Sequence, residues 1–148
     1  MKAENLMIGD FVMQNGCTHP SRVAGVTPNK IHTIWADGTK HAKDAYYFEP
    51  IPLTTEILEK NGMYTEKTKW YAEGDIQTQH DIDFVIPIPF PKEGYAHVWR
   101  NPHGADFFHI KVTTVVWGEA DRTFRYVHEL QQALRMCGLI EEANNFKV

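Results

Sequence analysis

The sequence contains few cysteines, no long hydrophobic run and none of the common catalytic signatures. Its two cysteines, Cys17 and Cys137, lie near opposite ends of the chain and form no CxxC pair, which argues against a disulfide framework or a zinc ribbon. There is no GxGxxG, GxxxxGK[ST] or GxSxG pattern to indicate dinucleotide binding, phosphate binding or a serine hydrolase. No apolar run approaches the roughly 18 residues that span a bilayer, and the N-terminus has no signal-peptide pattern. These absences predict a reduced, cytoplasmic protein without a membrane segment or a cofactor.

An excess of charge of one sign is also missing. The formal net charge is −4 over 148 residues, which provides no electrostatic reason to expect binding to nucleic acid or to acidic membranes. Basic and acidic side chains cancel in residues 1–50, so this segment has no basic stripe to neutralise phosphates. What the sequence does have is a globular composition, 43% hydrophobic and 12% aromatic. A chain of this length can bury a core without disulfides or metals.

Turn signals divide the first part of the chain into short strands. Asn15-Gly16 and Asp37-Gly38 are typical hairpin turns, and each stands between apolar stretches. Two prolines near the end of this part restrict its last strand to a sheet edge or a strand end. Four or five strands in so short a segment predict a small Src-homology-3-like β-barrel over residues 1–53.

The second part, residues 54–148, begins with a predicted short helix in LTTEILEKNG, which Thr54 or Thr55 caps and an Asn-Gly pair ends. Strand patterns follow, and the clearest are GYAHVWR and DFFHIKVTTVVW, which flank the loop NPHGA. A helix is predicted from about residue 123 to residue 137, where Gly138 ends it. We therefore expect an α+β fold, in which the barrel is followed by an antiparallel sheet with the C-terminal helix packed on it.

Two histidines lie in the predicted hairpin of the second part. If its loop closes symmetrically, His97 faces His109 and Trp99 faces Phe107, and Tyr95 lies on the same face. Directly opposed residues have Cβ atoms about 5 Å apart, so the two imidazoles are candidate metal ligands, although no third ligand is evident. This face is unusually apolar for one that meets water, so it is equally a candidate for sheet packing, partner binding or ligand binding. A shift of one residue in register would remove the pairing.

The stretch RYVHELQQALRMCG begins as a zinc-protease helix does, with His128 followed by Glu129. Such a site needs a second histidine at i+4, but Gln132 stands there and no histidine follows, so we interpret the helix as structural. His128 and Glu129 lie off the apolar stripe. There they could contact solvent, the chain's own loops or a partner. The residues of that stripe are Tyr126, Val127, Leu130, Ala133, Leu134 and Cys137.

Three stretches, LMIGDFVM, FEPIPLTTEILEKNG and YVHELQQAL, occur in this order along the chain. Together they resemble uncharacterised small proteins encoded by prophages and other mobile elements of gut anaerobic bacteria. The last motif of that family matches His128, Glu129, Leu130 and Gln131 one by one, after which QALRMCG is one residue shorter and lacks an aromatic pair. The resemblance implies a phage or mobile-element context, and it transfers no activity and no catalytic residue.

Three functional hypotheses follow. The leading one is a non-catalytic binding or adaptor protein that contacts a protein partner or a second copy of itself, and that needs no cofactor. The first alternative is a metal-dependent enzyme that uses His97 and His109. The second alternative is a nucleic-acid-binding module built on the N-terminal barrel, which the charge balance does not favour.

Overall fold

The computed structural model describes residues 1–62, 64–66, 83–87, 94–100, 108–114 and 118–148. The chain divides into two units. The first consists of Met1–Pro52, Tyr126–Phe146 and Val148, and the second consists of Leu53–Arg125 and Lys147. The first unit therefore combines segments from both ends of the chain.

The described elements are ten strands, three α-helices and two short 3-10 turns. In chain order the strands are β1 (Phe11–Gln14), β2 (Pro20–Val26), β3 (Lys30–Ile34), β4 (Lys40–Asp44), β5 (Phe48–Pro50), β6 (Tyr64–Glu66), β7 (Asp83–Pro87), β8 (Gly94–Arg100), β9 (Phe108–Thr114) and β10 (Gly118–Phe124). The α-helices are α1 (Thr55–Lys60), α2 (Val127–Met136) and α3 (Ile140–Asn144), and the 3-10 turns cover Ala3–Asn5 and Ala45–Tyr47.

The first unit contains an antiparallel five-stranded sheet in the order β4-β3-β2-β1-β5. Its hairpin turns lie where the sequence predicts them. Gly16 and Gly38 in these turns have φ of +79° and +85°, a conformation that glycine adopts without strain. One face of the sheet packs with the N-terminal segment. The buried members of this core are Ala3, Leu6, Val12, Val23, Ile31 and Phe48.

The prediction that the first sheet closes into a barrel is wrong, because β4 and β5 are the two edges of an open sheet. The composition of these strands supplies the physical reason. The sequence of β4 is KHAKD, and β5 has three residues and ends at Pro50, which has no N–H to donate. Charged and proline-bearing strands are typical of sheet edges. The Src-homology-3-like detail is therefore not confirmed, whereas the α+β class is.

The second unit contains the predicted antiparallel sheet, whose strand order is β10-β9-β8-β7-β6. Helix α1 begins and ends as the sequence indicates: the Ile57 N–H donates to Thr54 Oγ1 at 3.3 Å, and Gly62 follows the helix with a φ of +77°. Strand β10, GEADRTF, was not predicted, and the predicted helix began inside it. This strand is polar and lacks alternation, so it is recognisable only by its pairing with β9.

The C-terminal helix α2 belongs to the first unit, which corrects its predicted position on the second sheet. The Val127 N–H donates to the Ile51 carbonyl at 2.9 Å, and Pro52 and Tyr126 form an isolated β-bridge just before the helix. The predicted apolar stripe is buried at Val127, Leu130, Ala133, Leu134 and Cys137. An apolar stripe can cover either sheet equally well, so the stripe alone did not specify which one.

Within the described ranges, no helix combines the length and the hydrophobicity needed to cross a membrane.

Candidate functional site

Strands β8 and β9 pair as predicted, but their register differs from the symmetric one by two residues. His97 lies opposite Lys111, and Trp99 lies opposite His109. The direct pairing of His97 with His109 is therefore wrong. The two histidines occupy diagonal positions of the ladder, which are typically about 7–8 Å apart.

The other two residues of the predicted face are Tyr95, which lies opposite Thr113, and Phe107, which lies outside the described residues. Among the residues whose side chains the structure describes, no group of three or more His, Cys, Asp or Glu is arranged to hold a metal ion. The roles proposed for this face remain predictions.

A buried carboxylate connects the segment before β1 to helix α2. Asp10 is fully buried, and its carboxylate accepts hydrogen bonds from the Met7 N–H at 2.8 Å and from Gln132 Nε2 at 2.6 Å. It also forms an ion pair with Arg135, at 2.5 Å from Asp10 Oδ1 to Arg135 Nη1, and the Arg135 side chain is only 12% exposed. A buried charge is tolerated only when it is paired and hydrogen-bonded, and this one meets both conditions.

The residue before this carboxylate must be glycine for two reasons. Gly9 has a φ of +92°, which side-chain-bearing residues rarely adopt. A Cβ atom there would also lie 2.9 Å from Arg135 Nη2 and 3.5 Å from Asn144 Oδ1. The Gly-Asp pair of the first motif therefore provides the close approach and the charge that attach this segment to α2.

Gln131 forms a second connection between the same elements. Its side chain is fully buried, and its Oε1 accepts from the Phe11 N–H at 2.9 Å. Its Nε2 donates to the Gly9 carbonyl at 3.3 Å and to the Ala143 carbonyl at 2.9 Å. An amide side chain can both donate and accept, so Gln131 satisfies backbone groups before β1, in β1 and in α3. Sequence reasoning placed Gln131 in the family motif but did not identify this role.

His128 is buried, although it lies off the apolar stripe. The segment that carries Asp10 packs against this side of α2, through Gln132 and Arg135, so the side opposite the stripe is covered too. The His128 ring stacks on Tyr126, with ring centroids 5.8 Å apart and an interplanar angle of 11°. Burial lowers the pKa of His128, and the nearby Glu129 and Asp10 carboxylates oppose this effect.

Glu129 caps the N-terminus of α2, which begins at Val127. Its carboxylate accepts a hydrogen bond from the Tyr126 N–H at 3.1 Å, which satisfies a backbone donor at the helix N-terminus. This contact gives Glu129 a structural role, and the interpretation of His128 as structural stays a prediction. The three motifs behind the family resemblance meet in the first unit, where α2 bonds to Gly9, Asp10 and Phe11 of the first motif and to Ile51 of the second.

Four aliphatic side chains near these connections are exposed. Met7 is 48% exposed, Ile8 69%, Met136 73% and Ile140 56%. We call these four side chains the methionine–isoleucine patch.

Polar contacts connect the chain segments that carry the patch. The Met7 N–H shares the Asp10 carboxylate with Gln132, which precedes Met136 by one helical turn. Gly9, next to Ile8, approaches Asn144, which follows Ile140 by one turn of α3. The segment that carries Met7 and Ile8 is therefore connected to α2, which carries Met136, and approaches α3, which carries Ile140.

A second group consists of aromatic rings, of which Tyr46 and Tyr47 are exposed and Trp35 and His41 are half-buried. Trp35 and His41 have ring centroids 4.6 Å apart, and Tyr46 and Tyr47 have centroids 4.1 Å apart. Lys43 Nζ lies 5.7 Å from the centroid of the Tyr47 ring. The hydrogen bond between the two tyrosines raises the pKa of Tyr46 to about 12.

Comparison with models of known protein families, with curated proteins and with solved structures finds no significant match to this chain. Functional inference therefore depends on the geometry described above.

Proposed function

We propose that the chain is a non-catalytic binding or adaptor protein of phage or mobile-element origin, which acts through protein–protein contacts at the methionine–isoleucine patch. The observation that carries this proposal is the patch itself. Its four side chains are between 48% and 73% exposed, and a buried ion pair connects the segment that carries Met7 and Ile8 to α2, which carries Met136. Single exposed apolar residues are normal on a protein surface, whereas contiguous groups mark interaction sites.

The chemistry of the patch suits a protein partner. Methionine side chains adapt to irregular apolar surfaces, and the attachment at Asp10 reduces the ordering required on binding. Covering the exposed parts of four such side chains contributes roughly 4–7 kcal/mol before association costs. This alone supports at most a weak complex, since micromolar binding corresponds to about −8 kcal/mol. The partner must therefore also bond polar groups beside the patch, among which Glu141 and Asn144 are exposed.

The proposed origin is supported by the resemblance of three motifs in the same order. These motifs supply the groups that connect the first unit: the Gly9-Asp10 pair, the Ile51 carbonyl and the Gln131 amide. This explains why the three stretches would occur together in proteins of one fold. It identifies no chemistry, in keeping with a binding role.

Variants at Ile8 and Met136 test the proposal. We expect the wild-type chain to self-associate in sedimentation velocity, or to retain a partner from a host lysate that still binds once purified. Ile8→Glu and Met136→Glu should weaken that binding at least tenfold, because each places a charge in the apolar contact. Ala42→Glu is the matched control, since Ala42 is exposed on β4. A strictly monomeric chain without a partner, or equal binding by Ile8→Glu, would refute the proposal.

The two alternative hypotheses gain no support. The metal-dependent enzyme depended on a direct pairing of His97 with His109, and the register of β8 and β9 does not provide it. A nucleic-acid-binding module would need a basic surface, and the charges of residues 1–50 cancel.

A further inference from the structure

Three polar side chains lie together at one end of the first sheet. Thr33 is 1% exposed and lies directly opposite His41 in the pairing of β3 with β4. Trp35 follows Thr33 by two positions, so it leaves the chain on the same side. The Trp35 and His41 rings are both half-buried, with centroids 4.6 Å apart and an interplanar angle of 34°.

The polar atoms of these three residues share an unusual property. Thr33 Oγ1, Trp35 Nε1 and His41 Nε2 are each shielded from solvent, and none has a hydrogen-bond partner in the part of the chain that the structure describes. Most buried polar atoms in native proteins are paired, because an unpaired one loses its hydrogen bonds to water without replacement. By contrast, Asp10 and Gln131 have both of their polar atoms paired. Gln14 Oε1, His128 Nδ1 and Arg135 Nη2 are also unpaired within the described residues but lie on β1 and α2, whereas Thr33, Trp35 and His41 have neighbouring side chains, and this grouping points to a ligand.

We infer that Thr33, Trp35 and His41 form a binding site for a carboxamide group. The indole N–H only donates, so the ligand must offer an acceptor, and a carbonyl oxygen provides it. In the neutral tautomer that carries its proton on Nδ1, the imidazole Nε2 accepts, so a ligand for this tautomer must also offer a donor, and an amide N–H provides it. The threonine hydroxyl takes either role. With the ring in this tautomer, a carboxylate has no donor for Nε2 and an ammonium group has no acceptor for the indole N–H, so neither satisfies all three atoms.

The position of Trp35 permits entry to this site. Trp35 directly follows β3 and begins the turn that the Gly38 N–H closes on the Trp35 carbonyl at 2.9 Å. Its half-buried side chain can therefore rotate without breaking a strand-to-strand hydrogen bond. The site does not involve the methionine–isoleucine patch, so the two proposals stand or fall separately.

The indole N–H resonance of Trp35 reports on this site directly. It is assigned in the ¹⁵N-labelled full chain as the resonance, among those of four tryptophans, that Trp35→Phe removes. We expect N-methylacetamide, which represents a backbone amide, or acetamide, which represents a side-chain amide, to shift it saturably at millimolar concentration. The tighter of the two probes identifies the source of the ligand group, and sodium acetate should have no saturable effect.

Variants separate specific binding from a solvent effect. Thr33→Val and His41→Phe should each weaken the titration at least threefold, and His41→Phe serves alone if the buried Thr33→Val variant does not fold. His32→Phe is the matched control, because His32 is exposed on β3. Ile8→Glu should also leave the titration unchanged. A shift that stays linear for both amides, or that is the same in His41→Phe, would overturn the inference and leave ordered water as the partner of these atoms.

Discussion

Replacing Asp10 by asparagine tests whether the buried ion pair holds the first unit together. The substitution keeps the shape of the side chain but removes its charge, and Arg135, which is 12% exposed, loses its anionic partner. Removing one partner of a buried pair typically costs about 3–5 kcal/mol. For a chain of this size each kcal/mol lowers the Tm by about 2–4 °C. We therefore expect the Tm of Asp10→Asn to fall by roughly 10 °C.

The exposed pair between Lys2 and Glu4 provides the control. Their charged atoms are 3.4 Å apart, but the side chains are 78% and 72% exposed, so water already solvates both charges. Glu4→Gln should therefore leave the Tm unchanged within error. Both variants would be followed by scanning calorimetry and by circular dichroism.

A double-mutant cycle assigns the loss to the pair itself. Arg135→Met leaves a buried carboxylate without its cation, whereas Asp10→Asn combined with Arg135→Met removes both charges. The double variant should be less destabilised than the sum of the two single variants, because each single variant leaves one uncompensated charge. Strict additivity, or a loss in Asp10→Asn no larger than in Glu4→Gln, would refute the reasoning.

Three further predictions follow from the same unit. In urea titrations Gly9→Ala should destabilise the chain more than Gly16→Ala, because both positions have a positive φ but only the methyl group at position 9 meets a guanidinium group; equal losses would contradict this. Burial lowers the pKa of His128, so the fold favours the neutral ring and loses stability as the pH falls below the unfolded value of 6.5. The decline in Tm between pH 7 and pH 5 should be shallower in His128→Phe, and an unchanged slope would count against it. Burial raises the pKa of the Cys137 thiol, so a thiol reagent followed by mass spectrometry should label the half-buried Cys17 first; the reverse order would be inconsistent with this burial.

Local signals predicted the elements that depend on local chemistry. Asn15-Gly16 and Asp37-Gly38 specify tight turns because glycine adopts a positive φ without a Cβ clash. The Thr54 hydroxyl specifies the start of α1 because it satisfies a helix N–H three residues later.

Strand β10 was not predicted, because it is recognised only by its hydrogen bonds to β9, which is a separate segment of the chain. The register of β8 on β9 failed for a related reason. The register depends on the conformation of the connection between the strands, and it differs by two residues from the register of a symmetric connection.

The sequence by itself determined the α+β class, the start of α1, the turns at Gly16 and Gly38, and the apolar stripe of α2. Only the tertiary structure decided which unit that helix joins and that His128, off the stripe, is buried. The roles of Asp10 and Gln131 also became visible only there. The Phe11 N–H and the Gln131 amide that binds it are 120 positions apart, and contacts at such separation leave no periodicity along the chain. In the sequence, the stretch that carries Gly9-Asp10 and the helix that carries Gln131 are separate motifs. Folding brings them together in one buried polar contact.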